Sequence, residues 1–209
     1  VDSLSEVLEH VYRQRRIVLD DVSARFDWPG MPPLRTENMA LALVREQGEH
    51  RLAVTLSAAD RPLELDVRLQ LRGAAYSLED LDGSAYVRVR GDNLEYWLPE
   101  DWPLPLKPES ASGQVEAWGR LRGGEVQQAN VVLATRDVAL RHVQADERWL
   151  LDGLDASLAV RREGGEYVVL LDELRASTEA AGALRAGPLA LRWDGRRSAG
   201  SRWAVRAEQ

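Results

Sequence analysis

Between residues 63 and 71 the chain alternates without a slip: Leu63, Leu65, Val67, Leu69 and Leu71 are separated by Glu64, Asp66, Arg68 and Gln70. In an extended strand successive side chains point to opposite faces, so this stretch has one aliphatic side and one polar side. A helix would scatter the same leucines around its whole circumference. The stretch is therefore a strand, and nine residues of strand reach about 30 Å. Whatever fold the chain adopts must deal with an aliphatic strip of that length.

The same period recurs along the chain. Leu52, Val54 and Leu56 alternate with Ala53, Thr55 and Ser57, after a turn at Gln47-Gly48-Glu49. Ala85, Val87 and Val89 alternate with Tyr86, Arg88 and Arg90. Val115, Ala117, Gly119 and Leu121 form a further set, as do Leu154, Ala156, Leu158 and Val160. Arg122-Gly123-Gly124-Glu125 and Glu163-Gly164-Gly165-Glu166 read as hairpin turns, because paired glycines reach positive φ at little cost. Between Ile17, Leu19 and Val22, Ala24, Phe26 the alternation slips by one at Asp20-Asp21, where a β-bulge would restore the inward face. Leu189, Leu191 and Trp193 predict one more strand, Asp194-Gly195 a turn, and Trp203 to Arg206 a last strand, with residues 178–186 ambiguous.

Two segments depart from this rhythm. Leu4, Val7, Leu8 and Val11 have the spacing of one helix face, and Ser3 with Glu6 has capping-box spacing, which predicts a short N-terminal helix. From Asp92 to Ser112 a Trp/Pro-rich break carries Tyr96-Trp97-Leu98-Pro99 and Trp102-Pro103-Leu104-Pro105, with Pro108 beyond. Proline removes ladder donors, so a short helix or turn followed by linker is expected. The break separates two β-rich halves of similar layout, 1–109 and 110–209, a weak internal repeat. The fold class expected is mainly β, with long antiparallel strands forming a curved, groove-like sheet and one or two short helices.

Composition removes several kinds of function. The 209 residues carry a net charge of −7, which disfavours a binder that tracks nucleic-acid phosphates. No run nears the roughly 18 apolar residues of a membrane-spanning helix. Cysteine is absent, so disulfides, thiol catalysis and zinc–thiolate sites are excluded. Lys107 is the single lysine, Ile17 the single isoleucine and Phe26 the single phenylalanine, a bias that reads as a G+C-rich bacterial genome. The chain begins at Val1 without a signal peptide and reads as a piece of something longer.

No catalytic or phosphate-loop motif is present, and no enzyme is expected. His10, His50 and His142 are scattered, without metal-ligand spacing, and ordinary surface or rim positions are expected for them; no metal and no cofactor is called for. Glu100-Asp101 is the one carboxylate pair beside aromatics, and a glycosidase reading of it would need a fixed carboxyl separation. Among seven tryptophans, Trp97 and Trp102 flank the break, Trp28 is expected to plug a sheet end, and Trp118 falls on the polar side of its strand. Exposed tryptophans can also serve as a carbohydrate platform.

A one-sided antiparallel sheet must cover its aliphatic face. Two arrangements remain open: sheets closing on each other as a sandwich, which the residues alone favour, or a curved trough completed by a ligand or another segment.

The stretch from Arg15 to Phe26 (Arg-Arg-Ile-Val-Leu-Asp-Asp-Val-Ser-Ala-Arg-Phe) resembles a basic–basic–aliphatic strand opening found in the YhdP-like branch of the AsmA family, related to TamB. Leu81-Asp82-Gly83-Ser84-Ala85-Tyr86-Val87-Arg88-Val89-Arg90, leading to Leu94 and Tyr96-Trp97-Leu98-Pro99, is similar to that family's strand followed by a Trp-Leu-Pro turn. The similar stretches span most of residues 10–175. The resemblance implies a periplasmic portion of a protein anchored in the inner membrane of Gram-negative bacteria. Its implied role is one stretch of a β-groove that carries phospholipid between inner and outer membranes and so maintains the outer-membrane barrier. The partners implied are phospholipid acyl chains, and both membranes through parts of the protein outside this chain; no catalytic residue is carried over and no nucleic acid is expected.

Strand parity then assigns the groove lining. It comprises Leu52, Val54, Leu56, Leu63, Leu65, Val67, Leu69, Val87 and Val89 in the first half, with Val115, Leu121, Leu154, Leu158 and Val160 in the second. A one-residue register slip would invert any one set. The runner-up reading is a structural β-sandwich module whose open strand edges pair with envelope protein partners.

Overall fold

The computed structural model describes residues 14–27, 33–73, 82–97, 106–142, 145–179, 182–193 and 204–207. Twelve strands make up nearly all of it. In chain order they are β1 Arg16–Phe26, β2 Leu34–Glu46, β3 Glu49–Ala58, β4 Leu63–Arg72, β5 Asp82–Gly91 and β6 Leu106–Arg122. There follow β7 Glu125–His142, β8 Glu147–Glu163, β9 Glu166–Thr178, β10 Gly182–Ala186, β11 Leu189–Trp193 and β12 Ala204–Ala207. The helical structure among the described residues is a single 3-10 turn, Leu94–Trp97. The expected N-terminal helix, Trp28, Glu100-Asp101, Trp102 to Pro105, Asp194-Gly195 and Trp203 lie outside the described residues.

All twelve strands belong to one antiparallel sheet, and from β1 to β9 each strand pairs with the next. The far edge of β9 is shared by β10 and β11, and β12 adds to β11. The protein is thus a meander: every pairing from β1 to β9 is made between sequence neighbours. The sheet is open, with β1 and β12 at opposite ends of its strand order. It continues unbroken across residues 109 and 110, because β5 and β6 pair from Gly83–Leu121 to Gly91–Gly113.

Turn chemistry explains the tight hairpins. Gln47-Gly48, Gly123-Gly124 and Gly164-Gly165 all have positive φ at both central residues, the conformation whose twist matches the flanking strands. The bulge expected at Asp20-Asp21 is present: the β1–β2 register shifts between Leu19 and Val22, and Asp21 sits at φ 54°. Asn38 and Asp137 take the same left-handed conformation at register shifts in β2 and between β6 and β7. Asp and Asn tolerate that region better than other non-glycine residues. Each bulge bends its strand and increases the local twist.

The proline-rich break is narrower than the sequence suggests. β6 already begins at Leu106, and Pro108 lies inside it beside a register shift, a position where the missing amide costs little.

Two apolar clusters hold the sheet. Leu34, Met39, Leu56 and Leu63 pack with Phe26, Val54, Leu65 and Val89. Leu94 of the 3-10 turn packs with Ala111 and Val138, against Val89, Val115 and Leu154. Among the described residues no large side chain is completely sealed from solvent.

Candidate functional site

Pairing register decides which residues share a face, since directly paired residues point the same way. Starting at Leu19, the pairs run through Leu41, Val54, Val67, Val87, Ala117, Val131, Leu158, Leu171 and Leu189. That is one residue from each of ten strands, and all ten are aliphatic. With strands about 4.8 Å apart, the lane is about 43 Å long. It runs across the strands, along the length of the sheet.

Parallel lanes flank it. On one side Ile17, Leu43, Leu52, Leu69, Ala85, Gly119, Ala129, Val160 and Val169 follow one another in register. On the other run Leu56, Leu65, Val89, Val115, Leu133, Ala156 and Leu174. Beyond these, Leu63 and Leu154 belong to a lane that crosses Gly91, Gly113 and Thr135, and Leu121 pairs with Gly83 and Val126 near the hairpin ends. Register thus brings all fourteen residues assigned from strand parity to one face. Leu56 and Leu63 are buried at 6% exposure each, and the other twelve are half-buried.

Several residues of this face were not legible as such. β2 contributes Leu41 and Leu43, β7 contributes Ala129, Val131 and Leu133, and β9 contributes Val169, Leu171 and Leu174. In each of these strands an apolar residue also occupies the opposite face, as Ala42, Val132 and Leu170 do. A continuous apolar run conceals its period, and the hairpin turns on either side were the available signal.

Two hydroxyl groups on this face bond to the sheet itself. The Thr135 hydroxyl donates to the Leu154 carbonyl at 2.7 Å, and the Thr36 hydroxyl engages both the amide and the carbonyl of Ala24. The three flanking and central lanes carry no charged side chain. At one margin the 3-10 turn lays Leu94 over Val89 and Val115, and the Glu95 carboxylate fixes the turn by accepting from the Ala111 amide at 3.2 Å. Between β5 and β7 the lining narrows to Ala85, Ala117, Gly119 and Ala129, which leaves the face lowest there.

His50 departs from the surface position expected of it. It sits at the start of β3, paired with Arg45 and Leu71, and is 4% exposed. Burial, with the Arg45 charge behind it, holds its pKa below the ordinary histidine value, so the ring is neutral at pH 7. His142 is half-buried, and its Nδ1 accepts from the Ala145 amide at 3.0 Å. Among the described residues no three His, Asp or Glu side chains gather as a metal would require.

The opposite face is polar. Asp66, 5% exposed, pairs with Arg68 at 3.0 Å and Arg88 at 3.5 Å, and Glu49 gathers Arg51, Gln70 and Arg72. Those three hydrogen bonds, from Arg51 first, hold the Glu49 carboxyl below its usual pKa. A hollow of about 680 Å³ opens on this polar face, and Leu52, Leu69, Ala85 and Gly119 of one flanking lane also border it. Compared with family models, curated proteins and solved structures, the chain matches none.

Proposed function

We propose that this chain is a non-catalytic segment of a lipid-carrying bridge, in which phospholipid acyl chains travel along the aliphatic face while headgroups remain in water. The observation that carries the reading is the lane of ten aliphatic residues, one per strand, running about 43 Å across an open sheet. An acyl chain spans half of a hydrocarbon core about 30 Å thick, so the lane is long enough for more than one chain end to end.

The energetics favour a track over a pocket. Each methylene exposed to water costs about 0.8 kcal/mol, so a 16-carbon chain leaving a bilayer faces on the order of 12 kcal/mol. A uniform aliphatic lane removes much of that cost at every position. Because its lanes hold no charged or unsatisfied polar anchor, no single position would trap the lipid. In such a bridge the open edges of β1 and β12 are where neighbouring strands of a longer sheet would pair. By resemblance to the YhdP-like AsmA proteins, the two ends of the journey are the inner and outer membranes, and the setting is the periplasm.

A pair of adjacent substitutions tests the role. Val67→Asp places a charge in the central lane, and Arg68→Ala alters the neighbouring residue on the opposite face. Expressed in the intact protein in cells that depend on it, Val67→Asp is expected to abolish outer-membrane barrier function at normal protein level, and Arg68→Ala to preserve it. Equal effects of the two would contradict the groove.

A further inference from the structure

On the polar face, β2 to β7 surround the hollow of about 680 Å³, and twelve of the residues that border it, among them Arg51, Tyr86, Trp118 and Arg120, belong to that face by register. Its low ground is made by the paired Ala42 and Ala53 and by Ser84, whose other register partners are Val18, Arg68, Gln70 and Arg120. On one side stand Tyr86 and Trp118, a directly paired couple with ring centroids 5.6 Å apart. Trp118 remains 42% exposed, a large aromatic surface left to solvent. The Arg68 guanidinium lies 5.7 Å from the Tyr86 centroid, which fixes that ring from its other side.

The charge around the hollow is one-sided. Arg51, Arg68 and Arg120 line it, and no carboxylate does. Arg51 is paired with Glu49, but that carboxylate also serves Arg72; Arg68 is paired with Asp66, which also serves Arg88. Two carboxylates therefore offset four of the arginines, and the Arg120 side chain has no ion pair or hydrogen bond among the described residues. The hydroxyl of Ser84 and the amides of Gln128 and Asn130 border the same space.

We propose that this hollow is a binding site for an acidic sugar. An apolar sugar face stacks on the exposed Trp118 ring, the hydroxyls are met by Ser84, Gln128 and Asn130, and the carboxylate or phosphate is taken by the guanidinium of Arg120. The volume is within the range of small-ligand sites, and its openness to solvent suits a ligand that keeps much of its hydration. A nucleic-acid strand fits less well, because Glu64, Glu116, Asp155 and Glu173 lie on the same face and would oppose a continuous run of phosphates. The site faces away from the aliphatic lanes and does not depend on their carrying lipid.

The test is calorimetric titration of the chain with four probes: tetragalacturonate, glucose 6-phosphate, neutral maltotetraose and inorganic phosphate. At least one acidic sugar is expected to bind about tenfold or more tighter than maltotetraose and than phosphate, and comparison of the two acidic probes tells carboxylate from phosphate recognition. Trp118→Ala is expected to weaken acidic-sugar binding at least about tenfold, and Arg120→Gln to reduce it to the neutral-sugar level. Both positions are exposed, and unchanged far-ultraviolet circular dichroism checks that each variant folds. Absence of binding by either acidic sugar, equal affinity for the neutral one, phosphate binding that equals the sugars, or a preference for a single-stranded oligonucleotide added in competition would each overturn the proposal.

Discussion

His50 shows how a single side chain ties this sheet to its solvent. Its ring is buried at the start of β3 and its pKa is depressed by that burial and by Arg45. In the unfolded chain the same group titrates near pH 6.5, so below that pH the unfolded state takes up a proton that the folded state resists. Stability from this residue is therefore complete above about pH 6.5 and declines as pH falls toward the depressed value. Urea unfolding at a series of pH values is expected to show a loss below pH 6.5 that is smaller in His50→Gln. An identical pH dependence in both proteins would contradict the assignment. Nothing in the sequence marked His50 as buried: it follows Gly48-Glu49 in an evident turn, and its pairing with Arg45 and Leu71 is a matter of strand register.

Among the elements, β6 and β7 approach closely at Gly113. Gly91 pairs with Gly113, and a Cβ added at Gly113 would lie 2.2 Å from the Ala134 carbonyl oxygen and 2.8 Å from the Thr135 Cα, both main-chain atoms. Gly113 also has φ 142°, a conformation that side-chain-bearing residues rarely adopt. Gly119, six residues on in the same strand, has its nearest neighbour at 3.5 Å and no such φ. Gly113→Ala is thus expected to cost about 2 kcal/mol or more, read as a lower urea midpoint, while Gly119→Ala changes it little. Equal midpoints for the two variants would contradict this account of Gly113. Such detail was partly readable beforehand. The Asp20-Asp21 bulge and the paired-glycine hairpins were legible, because a slipped period and a Gly-Gly turn are local signals. β2, β7 and β9 were not, because Ala42, Val132 and Leu170 fill the outer face and mask the alternation. The early start of β6 at Leu106 depends on pairing with His142, a partner 36 residues away in sequence, which no local pattern records.

Across the whole molecule, the consequence of a strict meander is that short-range parity becomes long-range continuity. Each strand orders its own side chains by a period of two, and each hairpin hands the same face to its neighbour, so a lane of aliphatic residues extends from Leu19 to Leu189. That the fourteen residues share one face was accessible from sequence for that reason, and the membership of their neighbours in the silent strands was not. The choice between closed sandwich and open trough was out of reach, since both place the same residues inward. Here the described strands form one sheet with unjoined edges, and most residues of its aliphatic face are half-buried.

The lane's use as a lipid path is tested most directly by photo-crosslinking in living cells. A photoreactive residue is placed at Val67 in one strain and at Arg68 in another, within the intact protein, with radiolabelled phospholipid as the reporter. Label captured at Val67 and not at Arg68 is the result predicted. With folded protein present in both strains, label at neither position, or equal label at both, would contradict a lipid-carrying face.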